Sequence, residues 1–414
     1  MIYVYANKEK CCGCGLCAYV CPYSAIKLEP DNYGFLYPKI SQVKCVDCGL
    51  CKKMCGFNYD YSQRIIKSFA AVNQNQTQLL QSASGGIFSA LASSFLRTGG
   101  YVCGAVMNIC KGHANIMHIV IDSEDDLPKL QGSKYVQSDT QEIFAEIVSL
   151  LKNGEKMLFS GTPCQVAAVK SCVGDKLSEN LFTVDIICHG VPNLQFFNDY
   201  LHHTETREKI IIDDLKFRDK RYGWSPEGGI EGTYCDGSKV SERINPDNSS
   251  YYQFFFEGEI YRDSCYQCPY AQDKRVGDLT IGDYWGVEEY SPELMTDRNG
   301  PFSKQEGVSC LLVNTVHGLS LLNEYGQSIS KEPVDISKIK IINTQLKHPS
   351  EHSLLRDKLL EGYVKNGYIE VEKIFQKKLM KKKFKKRLKS AMLKVIPKAC
   401  TQRIKKFRQK WKIQ

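Results

Sequence analysis

The sequence has no apolar run of about 18 residues, and Met1 to Lys10 lacks the apolar core of a signal peptide. Neither a membrane-spanning helix nor an export leader is expected, so the chain is read as cytoplasmic. That reading excludes a disulfide scaffold for the 19 cysteines, because the cytosol keeps thiols reduced. Acidic residues are missing from position 373 to the end, where 18 Lys and Arg occur; the whole chain carries only +9, so everything before that tail is net acidic. Disorder is excluded as well, since 43% hydrophobic and 24% charged residues over 414 positions suit two or three folded domains.

Metal ligation is the leading use left for the cysteines, and they are unevenly placed. Nine fall between Cys11 and Cys55. Cys11, Cys14, Cys17 and Cys21 follow the spacing CxxCxxCxxxC, with Pro22 next, which is the bacterial ferredoxin signature. Three thiolates on a tight loop cap three irons of one cube, while the fourth, on the following helical turn, points to the other cluster. The spacing returns at Cys45, Cys48, Cys51 and Cys55, so the module is an internal repeat. By the crossing rule one [4Fe-4S] cluster takes Cys11, Cys14, Cys17 and Cys55, and the second takes Cys45, Cys48, Cys51 and Cys21. Cys12 is then a spare thiol. Paired CxxC units also build zinc sites, but zinc sites seldom repeat this triple spacing twice. Between the motifs, Ile26, Leu28 and a turn from Gly34 to Pro38 predict a short hairpin.

From about Ser68 the pattern changes to longer helical and strand segments. Ser84, Gly85 and Gly86 precede an apolar helical stretch, Ile87 to Leu96, whose start offers backbone donors to an anion such as a cofactor phosphate. Glycine ahead of a helix is by itself only a turn signal. A strand-like run, Lys156 to Ser160, ends in GTPCQ, and another, Leu181 to Ile187, ends in Cys188, His189 and Gly190. Cys164 and Cys188 therefore stand at corresponding ends of successive predicted strands, where open α/β sheets place ligands. Cys265 and Cys268 add a further CxxC, followed by GDLTIGDYWG. The remaining cysteines, Cys103, Cys110, Cys172, Cys235, Cys310 and Cys400, show no ligand spacing.

These segments together resemble the beta subunits of the coenzyme F420 hydrogenase/dehydrogenase family with a fused ferredoxin domain. The matching stretches are SGGIFSAL at 84–91, GSKYVQS at 132–138, GTPCQ at 161–165, ICHG at 187–190, CYQCPYA at 265–271 and DLTIGDYWG at 278–286. The resemblance spans about residues 8 to 345. It implies an α/β flavoprotein that binds FAD and passes electrons between an organic partner and iron-sulfur centres. It further implies a third [4Fe-4S] cluster on Cys164, Cys188, Cys265 and Cys268. By the same resemblance FAD would contact Ser84, Gly85 and Gly86, then Gly132, Ser133, Lys134 and Tyr135, with Lys134 available to a phosphate or the flavin, and Gly282 and Asp283 near cluster and flavin.

The organisation expected is an α+β two-cluster ferredoxin domain at 1–60, a larger α/β flavin and iron-sulfur domain at 68–345, and a helical extension with a basic tail at 346–414. A flavin takes electrons in pairs and clusters take them singly, so the leading function is an FAD-dependent iron-sulfur oxidoreductase. The alternative is an electron-delivery subunit without an organic substrate of its own. No acid, base or nucleophile is assigned. His189 is read as backbone-satisfied rather than as a proton donor, and Arg218, Arg221 and Trp224 as either a cofactor rim or a solvated loop. The redox partner is open among F420, ferredoxin, a quinone and a sugar intermediate, with a role in polysaccharide biosynthesis suggested by the fused ferredoxin and extended tail. In that tail Met380, Phe384, Leu388, Met392 and Val395 form one stripe among lysines, Pro397 stops the helix, and Ile404, Phe407 and Trp411 form a second stripe. Such a helix suits the inner face of an anionic membrane. A solvated or nucleic-acid-binding run is the competing reading, and nucleic acid is not the expected partner of the redox domains.

Overall fold

The computed structural model describes residues 4–58 and 63–395, the side chains from 387 onward excepted. Residues 4–58 fold as two copies of a short unit. A helical turn, Leu16–Tyr19, follows the first cysteine loop and another, Leu50–Lys53, follows the second. Each is entered through a glycine in the left-handed region, Gly15 at φ 81° and Gly49 at φ 74°, a conformation that costs other residues a steric penalty. Between them lies the hairpin of β1 (Ile26–Pro30) and β2 (Leu36–Ile40), with Ile26 opposite Ile40 and Pro30 opposite Leu36. Its turn lies earlier than the predicted Gly34 to Pro38. Asp31 Oδ1 accepts the backbone N–H groups of Tyr33 and Phe35, which closes the chain at 31–35 and leaves Pro38 inside β2.

The central body is built on an eight-stranded sheet. Its strands are β3 (Lys67–Asn73), β4 (Tyr101–Cys110), β5 (His113–Ile121), β6 (Met157–Gly161), β7 (Leu181–Ile186), β11 (Leu279–Asp283), β12 (Ser309–Val313) and β13 (Ile329–Pro333). A separate antiparallel sheet comprises β8 (Ile210–Lys216), β9 (Gly228–Tyr234) and β10 (Lys239–Ile244). The large sheet runs β13-β3-β12-β11-β7-β6-β4-β5. Its four middle strands, β11, β7, β6 and β4, are parallel, and both flanks are antiparallel.

Both faces of the parallel centre are covered, which is why its strands read as continuous apolar runs. Leu158 and Val184 face helices Ile87–Arg97 and Val316–Tyr325. Met157, Phe159 and Leu181 face helices Ile143–Lys152 and Pro163–Val173. The result is a mixed α/β body behind the small cysteine module.

Beyond position 345 the chain does not stand apart. Helix Leu354–Asn366 and the first half of helix Tyr368–Val395 bury Leu359, Tyr363, Tyr368, Val371 and Phe375 in an aromatic core. That core also takes Phe35 and Tyr37 from the amino-terminal hairpin and Ile212 and Ile230 from the three-stranded sheet.

Candidate iron-sulfur and cofactor sites

The repeat places eight of the nine amino-terminal cysteines, all but Cys12, on its two loops and the helical turns that follow them. Cys11, Cys14, Cys17 and Cys55 line one cavity of about 410 Å³, closed by Leu16, Pro38 and Phe57. Burial raises Cys11 to about 12, Cys17 further, and Cys55 in the same direction, with Cys14 adding to each. Cys51 is raised by burial, and Cys48, Cys21 and Cys45 add to the rise against a hydrogen bond from the Lys52 backbone. Cys55 thus lies beside the first loop, and Cys21 is among the thiols that act on Cys51.

Four more thiols meet at the carboxyl end of the parallel strands. β6 and β7 are adjacent and in register from Met157 opposite Leu181 to Gly161 opposite Asp185, so the segments that follow emerge side by side. Cys164 sits in the first turn of helix Pro163–Val173, where Thr162 N–H donates to Gln165 Oε1 at 3.0 Å. Cys188 lies two residues beyond β7, and Cys265 and Cys268 come from the turn around Asp263–Gln267. All four line a cavity of about 570 Å³, together with Cys12, His189, Arg262, Tyr270, Arg275 and Gln345. Among the described residues, no three His, Cys, Asp or Glu side chains converge closely enough for a single metal ion.

The donor sets fit iron-sulfur clusters on chemical grounds. Burial pushes Cys265 and Cys268 up to about 12 and Cys188 well above its ordinary value, so these sulfurs become thiolates only against a strong positive centre. The protein itself supplies little of that charge. Arg275 is paired with Asp185 at 2.9 Å. The buried Arg262 has its guanidinium held by the carbonyl oxygens of Cys11 and Leu36 and by Gln137 Oε1, and it lies over the Tyr37 ring at 4.7 Å. Cys164 departs from the other three. A hydrogen bond from Cys12 outweighs its desolvation, and its pKa falls to about 7.

Two of the loops expected to touch a flavin meet at one residue. Arg218 donates to Asp283 Oδ2 at 2.9 Å and to Ala83 O at 3.2 Å. It is buried, and so is Trp224, whose Nε1 donates to Asp283 Oδ1 at 2.6 Å while its ring stacks on Trp285 at 4.6 Å. Of the two readings of this loop, the solvated one holds only for Arg221, which is half exposed between Asp219 and Glu231.

Several polar groups of these loops are already engaged. Gly85 N–H donates to Ser309 Oγ, and a Cβ at Gly85 would lie 2.4 Å from Ala71 O, so only glycine fits there. Ser84 Oγ donates to Val308 O, and Lys220 Nζ donates to Ser84 O. Lys134 does not point at an open site. Its ammonium caps the helical turn Leu127–Leu130, donating to the carbonyls of Lys129, Leu130 and Gln131, and burial lowers its pKa to about 7. Tyr135 stacks on Phe255 at 4.3 Å. Gly282 lies in β11 opposite Cys310. His189 is held neutral by burial, and Ser350 Oγ donates to its carbonyl.

Residues 154–338 match the family model for the C terminus of the coenzyme F420 hydrogenase/dehydrogenase beta subunit, and residues 10–59 match a 4Fe-4S dicluster domain. The chain joins a 4Fe-4S dicluster domain to a coenzyme F420 hydrogenase/dehydrogenase beta-subunit domain. A stretch of 31 residues is 55% identical to an uncharacterized ferredoxin of Methanocaldococcus jannaschii, covering 8% of this chain and 19% of that protein, so the chain spans about a fifth of this curated relative. Among solved structures, a chain of the xenon-derivatized F420-reducing [NiFe] hydrogenase complex from Methanosarcina barkeri aligns with a TM-score of 0.45 and 14% identity, over 74% of this chain and 96% of that one. These matches mark an iron-sulfur redox protein related, over residues 154–338, to the coenzyme F420 hydrogenase/dehydrogenase beta subunit. Cys164, Cys188, Cys265, Cys268, Gly282 and Asp283 fall inside the matched beta-subunit segment, whereas Ser84–Gly86 and Gly132–Tyr135 precede it.

Two residues that frame the sites carry no motif signal of their own. Arg262 reaches from the beta-subunit domain to the amino-terminal loop, and Arg356 ties Asp263, beside the CxxC turn, to the carboxyl-terminal helices at 2.7 Å. Both are isolated arginines in the sequence, and only their burial in the fold distinguishes them.

Proposed function

We propose that this protein is an FAD-dependent iron-sulfur oxidoreductase with three [4Fe-4S] clusters. Cys11, Cys14, Cys17 and Cys55 would hold the first, Cys45, Cys48, Cys51 and Cys21 the second, and Cys164, Cys188, Cys265 and Cys268 the third. When bound, FAD would exchange electrons in pairs with an organic partner and the clusters would exchange them singly. The observation that carries this reading is that the third quartet's cavity and the first quartet's cavity share wall residues, Cys12, Phe57 and Cys164. Two cysteine cages built by different parts of the chain are thereby neighbours, as a relay requires. Arg218 would hold two of the flavin loops in register through Asp283 and Ala83, and Tyr270 and Phe57 would screen the two cages from water.

One observation favours the second reading, an electron-delivery subunit without flavin. The donors and charges at Gly85, Lys134 and Asp283 are satisfied within the chain. Anaerobic purification followed by denaturant extraction separates the two. The first reading expects about twelve irons and near one FAD per chain. Irons without any flavin, bound or taken up, would leave the delivery subunit. For the organic partner, F420, a quinone or a lipid-linked sugar of polysaccharide biosynthesis are the proposed classes, with peripheral attachment to a membrane through the basic helix.

A further inference from the structure

Of the twelve cysteines in the three quartets, Cys48 alone is exposed. It lies in the second loop, where residues 41–44 and 46–48 are all exposed. Val43 and Val46 are 97% and 57% exposed. Ser41 N–H donates to Ala25 O at 2.7 Å, which brings the segment 22–24, with Tyr23 52% exposed, alongside the loop. Lys44, Lys52 and Lys53 are exposed as well, and among the described residues none of them has a carboxylate partner. Asp47, the one acid between 41 and 53, accepts a hydrogen bond from Cys45 Sγ at 3.7 Å. The loop is therefore basic, on a chain that is net acidic before its tail. Behind it, Cys21 and Cys51 pack on the apolar cluster that holds Cys17 of the first quartet, so the exposed loop leads inward to the closed cages.

We propose that this loop is the docking face for a small acidic one-electron carrier protein, with Val43, Val46 and Tyr23 as its apolar centre and Lys44, Lys52 and Lys53 as its charged rim. Electron transfer needs only a brief, close encounter, and such interfaces are small, with an apolar core and a polar rim. Lysines around the one exposed cysteine of the quartets steer an acidic partner to that spot and act chiefly on the rate of encounter. One electron passes from the carrier to the second quartet's site, so the carrier is oxidised as that site is reduced, and no proton or group moves. An anionic lipid surface would use the same lysines, but it gives no account of why they surround an exposed cysteine of a redox module. This inference rests on the reading that Cys45, Cys48, Cys51 and Cys21 hold a cluster.

The test uses the full chain, prepared anaerobically, and a reduced flavodoxin of net negative charge as the probe, its one-electron oxidation followed by stopped-flow absorbance. For wild type the second-order rate constant should fall about tenfold or more from low to high salt. Charge reversal, Lys44→Glu with Lys52→Glu and Lys53→Glu, should slow the reaction about tenfold at low salt and leave it unchanged at high salt. Val43→Ser with Val46→Ser should slow it at both. Iron content and the extent of reduction by dithionite, which needs no docking face, should match wild type in both variants. Wild-type rates in both variants with full iron content would overturn the proposal. So would charge reversal that abolishes flotation with anionic vesicles but leaves the carrier rate alone, because the loop would then be a lipid contact, and so would a wild-type dimer that the valine variant dissolves, because a second copy would then cover it. The cage is checked separately: Cys48→Ser should lose about four irons, and a full iron count there would remove the cluster from this loop and the proposal with it, whatever the carrier rates.

Discussion

The two kinds of cysteine cage in this protein are assembled in opposite ways. In the amino-terminal module the eight cysteines of the repeated spacing sit within 45 residues, and two short helical turns behind Gly15 and Gly49 place them. In the beta-subunit domain four thiols from 164 to 268 meet only because β6 and β7 are parallel neighbours and the Asp263–Gln267 turn is brought over their ends. The first cage depends on local spacing and the second on the tertiary fold. Perturbations distant from the ligands should therefore damage the second and spare the first.

The largest expected effect is the direct one. Replacing Cys265 and Cys268 together with Ser should lower the anaerobic iron count by about four and leave the ferredoxin-type signals in place. An unchanged count would mean that this quartet holds no cluster.

A remote change should sharpen the contrast. Arg356 is buried, bonded to Tyr261 O and paired with Asp263, and it stacks over the Tyr266 ring. Arg356→Ala leaves Asp263 without its buried partner, a loss on the order of 3–5 kcal/mol. The thermal midpoint should fall, and iron should be lost from the third cage before the first two. Even loss from all three cages would break the distinction between local and assembled sites.

A smaller effect is expected with pH. Lys134 titrates near 7 when folded because burial disfavours its charge, whereas an unfolded Lys titrates near 10.4. Between these values the unfolded chain binds more protons, so this group's contribution makes stability rise with pH from about 7 to about 10. Lys134→Met should flatten that rise, read as the difference between the two proteins' melting points at either end of the window. Parallel pH profiles would show that the carbonyl cap keeps Lys134 charged throughout.

How much could be read in advance follows the same division. The dicluster module was legible because its repeated cysteine spacing lies on tight loops close together in the sequence. The ends of β6 and β7 were legible because buried parallel strands are apolar runs that stop at a motif, and the structure ends them within a residue of the expectation. The hairpin turn was misplaced because Gly34 and Pro38 drew attention from the Asp31 side chain that closes it. Lys134 was read as open to a phosphate because a sequence does not reveal that three carbonyls lie within its reach. Arg218, Arg262 and Arg356 could not be told from surface arginines, since nothing in their neighbours encodes a burial that arises from packing far along the chain.

The carboxyl-terminal helix divides in the same manner, and it carries the smallest effect. Tyr368, Val371, Phe375 and Leu379 are buried against the aromatic core, and Lys378 and Lys382 are paired with Glu257 and Asp247. Met380 and Phe384 are 61% and 63% exposed. The expected stripe thus turns outward exactly where the buried face ends, while Leu388, Met392 and Val395 continue the helix beyond the described side chains and Pro397, Ile404, Phe407 and Trp411 lie outside the described residues. Among the described residues no helix is long and apolar enough to cross a membrane. Cutting the chain after Glu372 would remove Phe375 and Leu379 from the core, so the cleaner probe is Met380→Ser with Phe384→Ser. Each exposed side chain entering the interface is worth on the order of 1 kcal/mol, so the pair should weaken flotation with anionic vesicles at low salt by roughly tenfold or more. The melting point should not change. Equal flotation of the double variant and the wild type would leave the lysines alone as the attachment, and no flotation of either would leave the helix as a support for the core.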